Sequence, residues 1–153
     1  MRRFLLALAC MSAPTQAHAN WQYTTWGMSA VELVEVSQGR ASLKNPAAAD
    51  GDLIIMAEGT HTVGSVQLPA SFLFENDKLV KISLRPRGDA LCWALSQQLK
   101  REYGEPFTNV PSPVMSTTVW LDQAQGNRVE FLAMGDVCFL NYLPLSRPTG
   151  SGL

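Results

Sequence analysis

Residues 66–84, VQLPASFLFENDKLVKISL, decide the fold. Val66, Leu68, Ala70, Phe72 and Phe74 alternate with Gln67, Pro69, Ser71 and Glu75. Beyond Asn76-Asp77, Val80, Ile82 and Leu84 alternate with Lys81, Ser83 and Arg85. A period of two sends successive side chains to opposite faces, so each half reads as a strand with one apolar face. Asn and Asp tolerate the backbone of a tight turn, which makes the pair a hairpin. A two-residue loop would oppose Phe72 to Lys81, mixing core with solvent. A three-residue loop of Asn76, Asp77 and Lys78 opposes Phe74 to Val80 and Phe72 to Ile82, so the odd loop is the expected one. Pro69 has no amide hydrogen for a ladder, which predicts an edge strand or a bulge at that point.

Toward the N-terminus, Leu53-Ile54-Ile55-Met56 marks a strand over residues 52–58, with a turn over residues 59–62 and a loop over residues 40–51. Ser29 stands three before Glu32, the pattern of a capping box, and Met28 and Leu33 are spaced as a hydrophobic staple. These signals open a helix over residues 30–38 that turns Val31, Val34 and Leu33 inward and stops at Gly39. Aromatic and Thr-rich residues 21–26 predict a short strand before it.

Toward the C-terminus a second unit starts at Gly88-Asp89, with Asp89 as N-cap. Cys92, Leu95, Leu99 and Tyr103 share one helical stripe with Leu91 beside it, and Gly104-Glu105-Pro106 ends the helix. A Pro-rich loop over residues 106–116 leads to strands at 117–121, 129–134 and 137–143, with turns at residues 125–127 and at Gly135-Asp136. Two helix-plus-three-strand units result. Their simplest packing is an α+β layer: an antiparallel sheet of about six to seven strands with two helices on one face. Cys138, Leu140 and Tyr142 would face the second helix, with Val137 and Phe139 on the other side. Most of the four tryptophans would be core, with Trp21 the most exposed.

The chain begins Met1-Arg2-Arg3, continues through the apolar residues 4–11 and reaches Ala17-His18-Ala19. A positive start, a short apolar run and a small-x-small end predict a signal peptide over residues 1–19. A single domain over residues 20–143 and a flexible tail over 144–153 follow. The rival reading makes Cys10 a lipid-anchored first residue, but Ala7 stands where lipoproteins usually carry Leu. Cleavage takes two arginines from the 12 basic residues, leaving 10 against 13 acids and a charge of −3. That balance argues against nucleic-acid binding. No apolar run is long enough for a membrane-spanning helix. Two cysteines remain, Cys92 and Cys138, which in an oxidising compartment are most simply a disulfide; the alternative is two free thiols. A periplasmic or secreted protein is expected.

Trp26-Gly27-Met28-Ser29 with Glu32 and Val34, the hairpin Phe72-Leu73-Phe74 to Leu79-Val80-Lys81-Ile82, and Leu99 through Pro106 with Thr118-Val119-Trp120 resemble a small secreted bacterial type. Its helix-plus-hairpin units are similar to the folds of the β-lactamase-inhibitory protein and the small outer-membrane-assembly lipoprotein. The resemblance implies a fold of that kind and transfers no catalytic residue.

Chemistry-bearing patterns are sparse. His61 is the one histidine left after cleavage and is read as a solvated turn residue. There is no HExxH, CxxC, GxSxG or Gly-rich phosphate loop, so neither metal nor cofactor is expected. Glu32 and Glu35 sit near a helix N-terminus, where negative charge is stabilised, which accounts for them without a catalytic dyad. Two leads survive. Lys81 and Arg85 share the polar face of one strand, beside Lys78 and Arg87, and suit an anionic partner. Val137 and Phe139, with Val119 and Leu121 or Trp120, make the last three strands apolar on both faces, as an interaction surface would be. The expected function is a non-enzymatic protein-interaction module that uses its sheet face, with another envelope protein as partner. Its alternative is a binder of an anionic small molecule or envelope component. A hydrolase built on His61 comes third.

Overall fold

The computed structural model describes residues 23–49 and 51–146. The proposed signal peptide, Cys10, Trp21 and most of the tail lie outside the described residues. The elements in order are α1 (Ala30–Val36), β1 (Ala41–Ala48), β2 (Ile54–Val63), β3 (Val66–Glu75), β4 (Lys78–Leu84), α2 (Asp89–Tyr103), β5 (Thr108–Val110), β6 (Ser116–Asp122), β7 (Asn127–Met134) and β8 (Val137–Pro144). The strands form one antiparallel sheet of eight in the order β1-β2-β3-β4-β8-β7-β6-β5. Each unit is thus a helix followed by a four-stranded meander, and the units join where β4 pairs with β8. The α+β class with two helices holds, but there are eight strands instead of six to seven, and four per unit instead of three.

Both additional strands are the outer edges of the sheet. β1 occupies residues read as loop, and a register shift between Leu43 and Ala47 absorbs Asn45-Pro46. β5 is a three-residue strand inside the Pro-rich segment. An edge strand needs a ladder on one side only, so a sequence with little alternation can fill it. Conversely, residues 23–26 form no strand beyond a bridge at Thr24. The chain docks there instead, with the Gly27 amide donating to Leu79 O at 2.9 Å and the Leu79 amide donating to Met28 O at 2.9 Å.

The turn expected over residues 59–62 lies inside β2, and the chain reverses at Gly64-Ser65. Asn76 and Asp77, with φ of 50° and 57°, form a two-residue loop between the partners Glu75 and Lys78. Phe74 therefore meets Leu79, where Val80 was expected. A bulge between Leu73 and Phe74 then restores the parity, so that Phe72 does oppose Ile82. The apolar face requires an odd count of residues, and a bulge in the ladder supplies it as well as a longer loop would. β3 is an inner strand, but its pairing with β4 starts at Ala70, so Pro69 lies beyond the last rung on that side.

The core fills the helix side of the sheet. Leu33 and Ala30 of α1, and Cys92, Leu95 and Leu99 of α2, pack over Phe72, Ile82, Leu84, Leu140 and Val129. Ser29 caps α1 reciprocally with Glu32 as expected, and those bonds hold the Glu32 carboxyl below its usual range. Only Ala30, Leu33 and Val34 fit the inward stripe of this two-turn helix; Val31 is 56% exposed, not inward. The N-cap of α2 is Gly88, with Asp89 as first helical residue, where its charge suits the helix dipole. Trp93 points outward at 67% exposure, whereas Trp120 is fully buried and donates its indole N–H to Gly104 O at the end of α2.

A disulfide joins Cys92 to Cys138 with Cα atoms 5.8 Å apart, fastening α2 to β8. Cys138, Leu140 and Tyr142 are buried on that side. Pro144 still belongs to β8, and the Leu145 amide donates to Gly126 O at 2.8 Å, so order extends past the expected start of the tail. No helix among the described residues is long and apolar enough to cross a membrane.

Candidate functional site

The helix-free face of the sheet can be read from the registers, since residues directly paired across a ladder share a face. One row runs Glu58, Ser71, Ser83, Asn141, Glu130 and Val119. At its centre the Ser83 hydroxyl donates to Asn141 Oδ1 at 2.8 Å, which satisfies a buried amide at the junction of the two units. Leu73 pairs with Lys81 on the same face, and Phe139 pairs with Leu132. Leu73, Asn141 and Val119 are buried although no helix among the described residues covers them.

The two leads from the sequence meet on this face. Lys81 and Arg85 come from β4 and its end, Val137 and Phe139 from β8, the neighbouring strand. The Arg85 guanidinium stands over the Phe139 ring, 5.1 Å from its centroid. Arg87 bridges to Val137 beside them. Two acids of this face are matched elsewhere: Glu58 binds Lys44, and Glu130 binds Arg128 at 2.8 Å. Among the described residues Lys81, Arg85 and Arg87 take part in no salt bridge. Stripes of half-buried Val137, Phe139, Leu132 and Leu121 continue the surface toward the second edge. There the more exposed Phe107, Val110, Val114 and Met115 cluster in sequence around β5.

His61 is not a solvated turn residue. It sits within β2, 7% exposed, edge-on to Tyr142 with ring centroids 6.1 Å apart. Burial lowers its pKa to about 4, so the imidazole is neutral near neutral pH. It lines a polar cleft of about 350 Å³ with Tyr142, Asn127, Gln125, Asp122, Tyr103 and Glu102, which come from both units. Trp26 donates its indole N–H to Asn127 Oδ1 at 3.0 Å and so ties the N-terminal segment to this region. Single-residue reasoning missed the cleft because its other walls come from residues about 40 to 80 positions after His61 in the chain; only the histidine stood out. The described residues contain no group of three His, Cys, Asp or Glu able to hold a metal ion.

Compared with known proteins, the chain matches no family model, no curated protein and no solved structure.

Proposed function

We propose that the protein is a non-enzymatic periplasmic or secreted interaction module that docks an acidic partner protein on its helix-free sheet face. The observation that carries the reading is Arg85 laid over Phe139, with Arg87 bridged to Val137 beside it and Lys81 further along β4 on the same face, the cations taking part in no salt bridge among the described residues. Interfaces favour such an arrangement, an aromatic and Arg centre within a polar rim. A partner with carboxylates around an apolar protrusion would satisfy both halves at once. The disulfide and the small-x-small end of the leader support the extracytoplasmic address. The resemblance of Trp26-Gly27-Met28-Ser29 and the hairpin to small secreted proteins agrees with that address.

The test places a photo-crosslinking side chain at Phe139 and, as control, at Trp93 on the helix side, in a periplasmic extract. One discrete adduct from position 139, absent from 93 and lost in Lys81→Glu/Arg85→Glu, is the expected result. The double variant should melt within about 2 °C of wild type, since surface substitutions seldom cost more than ~0.5 kcal/mol. Equal labelling from both faces would defeat the proposal. Stabilisation by anionic glycans or lipids, without any protein adduct, would favour the small-molecule alternative on the same cations.

A further inference from the structure

Beyond Leu84 the chain keeps the alternation of β4 although the ladder ends. The last rung between β4 and β8 joins Leu84 to Leu140. In Arg85-Pro86-Arg87 the proline is buried, as Leu84 is, while both arginines are exposed. Proline disfavours a helical backbone in the residue before it, which keeps Arg85 extended. Gly88, with φ of 103°, then turns the chain out of the sheet and serves as the N-cap of α2. Cys92 follows in the first turn of that helix, where its amide donates to Gly88 O at 3.0 Å.

This corner is held from both sides of β8. On the helix-free side the Arg85 guanidinium stands over the Phe139 ring and Arg87 bridges to Val137. The Cys138 amide donates to Pro86 O at 3.3 Å, and the Gly88 amide donates to Asp136 O at 2.6 Å. The first of these is long against the usual ~2.9–3.0 Å of an N–H···O bond, and Gly135-Asp136 is an exposed turn. Backbone bonds at an exposed strand end open locally far more readily than those of the core. On the helix side, the disulfide ties Cys92 to Cys138, the residue directly before Phe139. Residues 85–92 and 138–139 thus form a covalent path between the two partners of the cation–π contact. With the bond closed, Arg85 to Arg87 are strung between two fixed points, the Leu84 rung and the first turn of α2. Opening the bond releases the second point.

We propose that the Cys92–Cys138 bond positions the docking face, holding Arg85 over Phe139 so that the face accepts its acidic partner only in the oxidised chain; the second half of this statement rests on the docking function proposed above. The bond forms when the two thiols give up two electrons and two protons to a disulfide oxidant, which leaves as its dithiol. Both cysteines are then buried, at 6% and 0% exposure, away from thiols that would reopen the bond. Docking competence therefore follows oxidation and not synthesis, and arises in the compartment where disulfides persist.

The test compares the isotopically labelled chain before and after reduction with a phosphine, in the cold, where both forms are expected to be folded. The side-chain signals of Arg85 report the ring current of Phe139, and their position in oxidised Phe139→Leu marks the value without a ring. Reduction should move them to that value while the amide signals of Phe72 and Ile82, in the central hairpin, stay in place; reoxidation should restore them. Arg85 signals that keep their position in the reduced chain would overturn the proposal. So would loss of the hairpin signals at the same time, because the bond would then hold the whole fold and not this corner. A photo-crosslinking side chain at Leu132, the partner of Phe139 across the β7–β8 ladder, gives the second readout in a periplasmic extract. Its adduct should be lost in Cys92→Ala/Cys138→Ala, which leaves the disulfides of the extract intact, and an equal yield would overturn the oxidation dependence. No adduct from either chain would remove the docking function and the oxidation dependence with it, whereas the Arg85 signals decide the positioning by themselves.

Discussion

Reduction of the Cys92–Cys138 bond tests the architecture most directly. The two cysteines are 46 residues apart in the chain, and the bond links α2 to a strand in the middle of the sheet. In the chain-entropy picture, closing a loop of that length stabilises the fold by about 4 kcal/mol, because the unlinked unfolded chain has far more conformations. For a domain of this size ~1 kcal/mol shifts Tm by about 3–5 °C, so the reduced protein should melt roughly 12–20 °C below the oxidised one. Urea titrations should show a second signature. The reduced unfolded state is less compact, so the m-value rises as the midpoint falls. Reduction keeps both sulfur atoms in place and therefore isolates the crosslink; a Cys92→Ala/Cys138→Ala variant adds the loss of buried volume. Midpoints that coincide to within a few degrees, with equal m-values, would refute the reasoning. Two titratable thiols in the purified, denatured, unreduced protein would remove the bond, and with it the main support for an oxidising compartment.

Two further outcomes are expected. Burial depresses the folded pKa of His61 to about 4, below its ordinary 6.5, so the fold favours the neutral ring. Its contribution is complete above pH ~6.5 and lost as the pH falls toward 4, on the order of 3 kcal/mol in all. Acid titration of stability should therefore be shallower over that range in His61→Gln, and an equally steep fall in the variant would exclude the histidine as the source. At Gly59, opposite Ala41, an added Cβ would stand 2.6 Å from the Arg40 carbonyl oxygen. Gly59→Ala should force β1 away from β2 and cost about 1–3 kcal/mol in chemical denaturation; an unchanged midpoint would mean that the two strands do not approach this closely.

Local pattern determined much of this protein. The capping box at Ser29 and Glu32 and the stripe Cys92, Leu95 and Leu99 each settle within a few turns of helix. The alternation in residues 66–84 likewise settles within one hairpin, and these elements form where their periods place them. Where the pattern weakened, local reading failed. β1 and β5 are held by one neighbour apiece, and the β3–β4 register is corrected by a bulge that no propensity announces. His61 reads as solvated only because its fate depends on Tyr142, about 80 positions later.

From the sequence by itself come the class, both helices, the inward faces of the central strands and the cysteine pair. The tertiary structure alone decided that β4 lies beside β8, which sets Arg85 next to Phe139 and Arg87 next to Val137. It alone gathered His61, Glu102, Asp122 and Gln125 around one cleft. The physical reason is that periodicity records which way a side chain faces, whereas strand order is set by long-range pairing among strands whose patterns are nearly interchangeable.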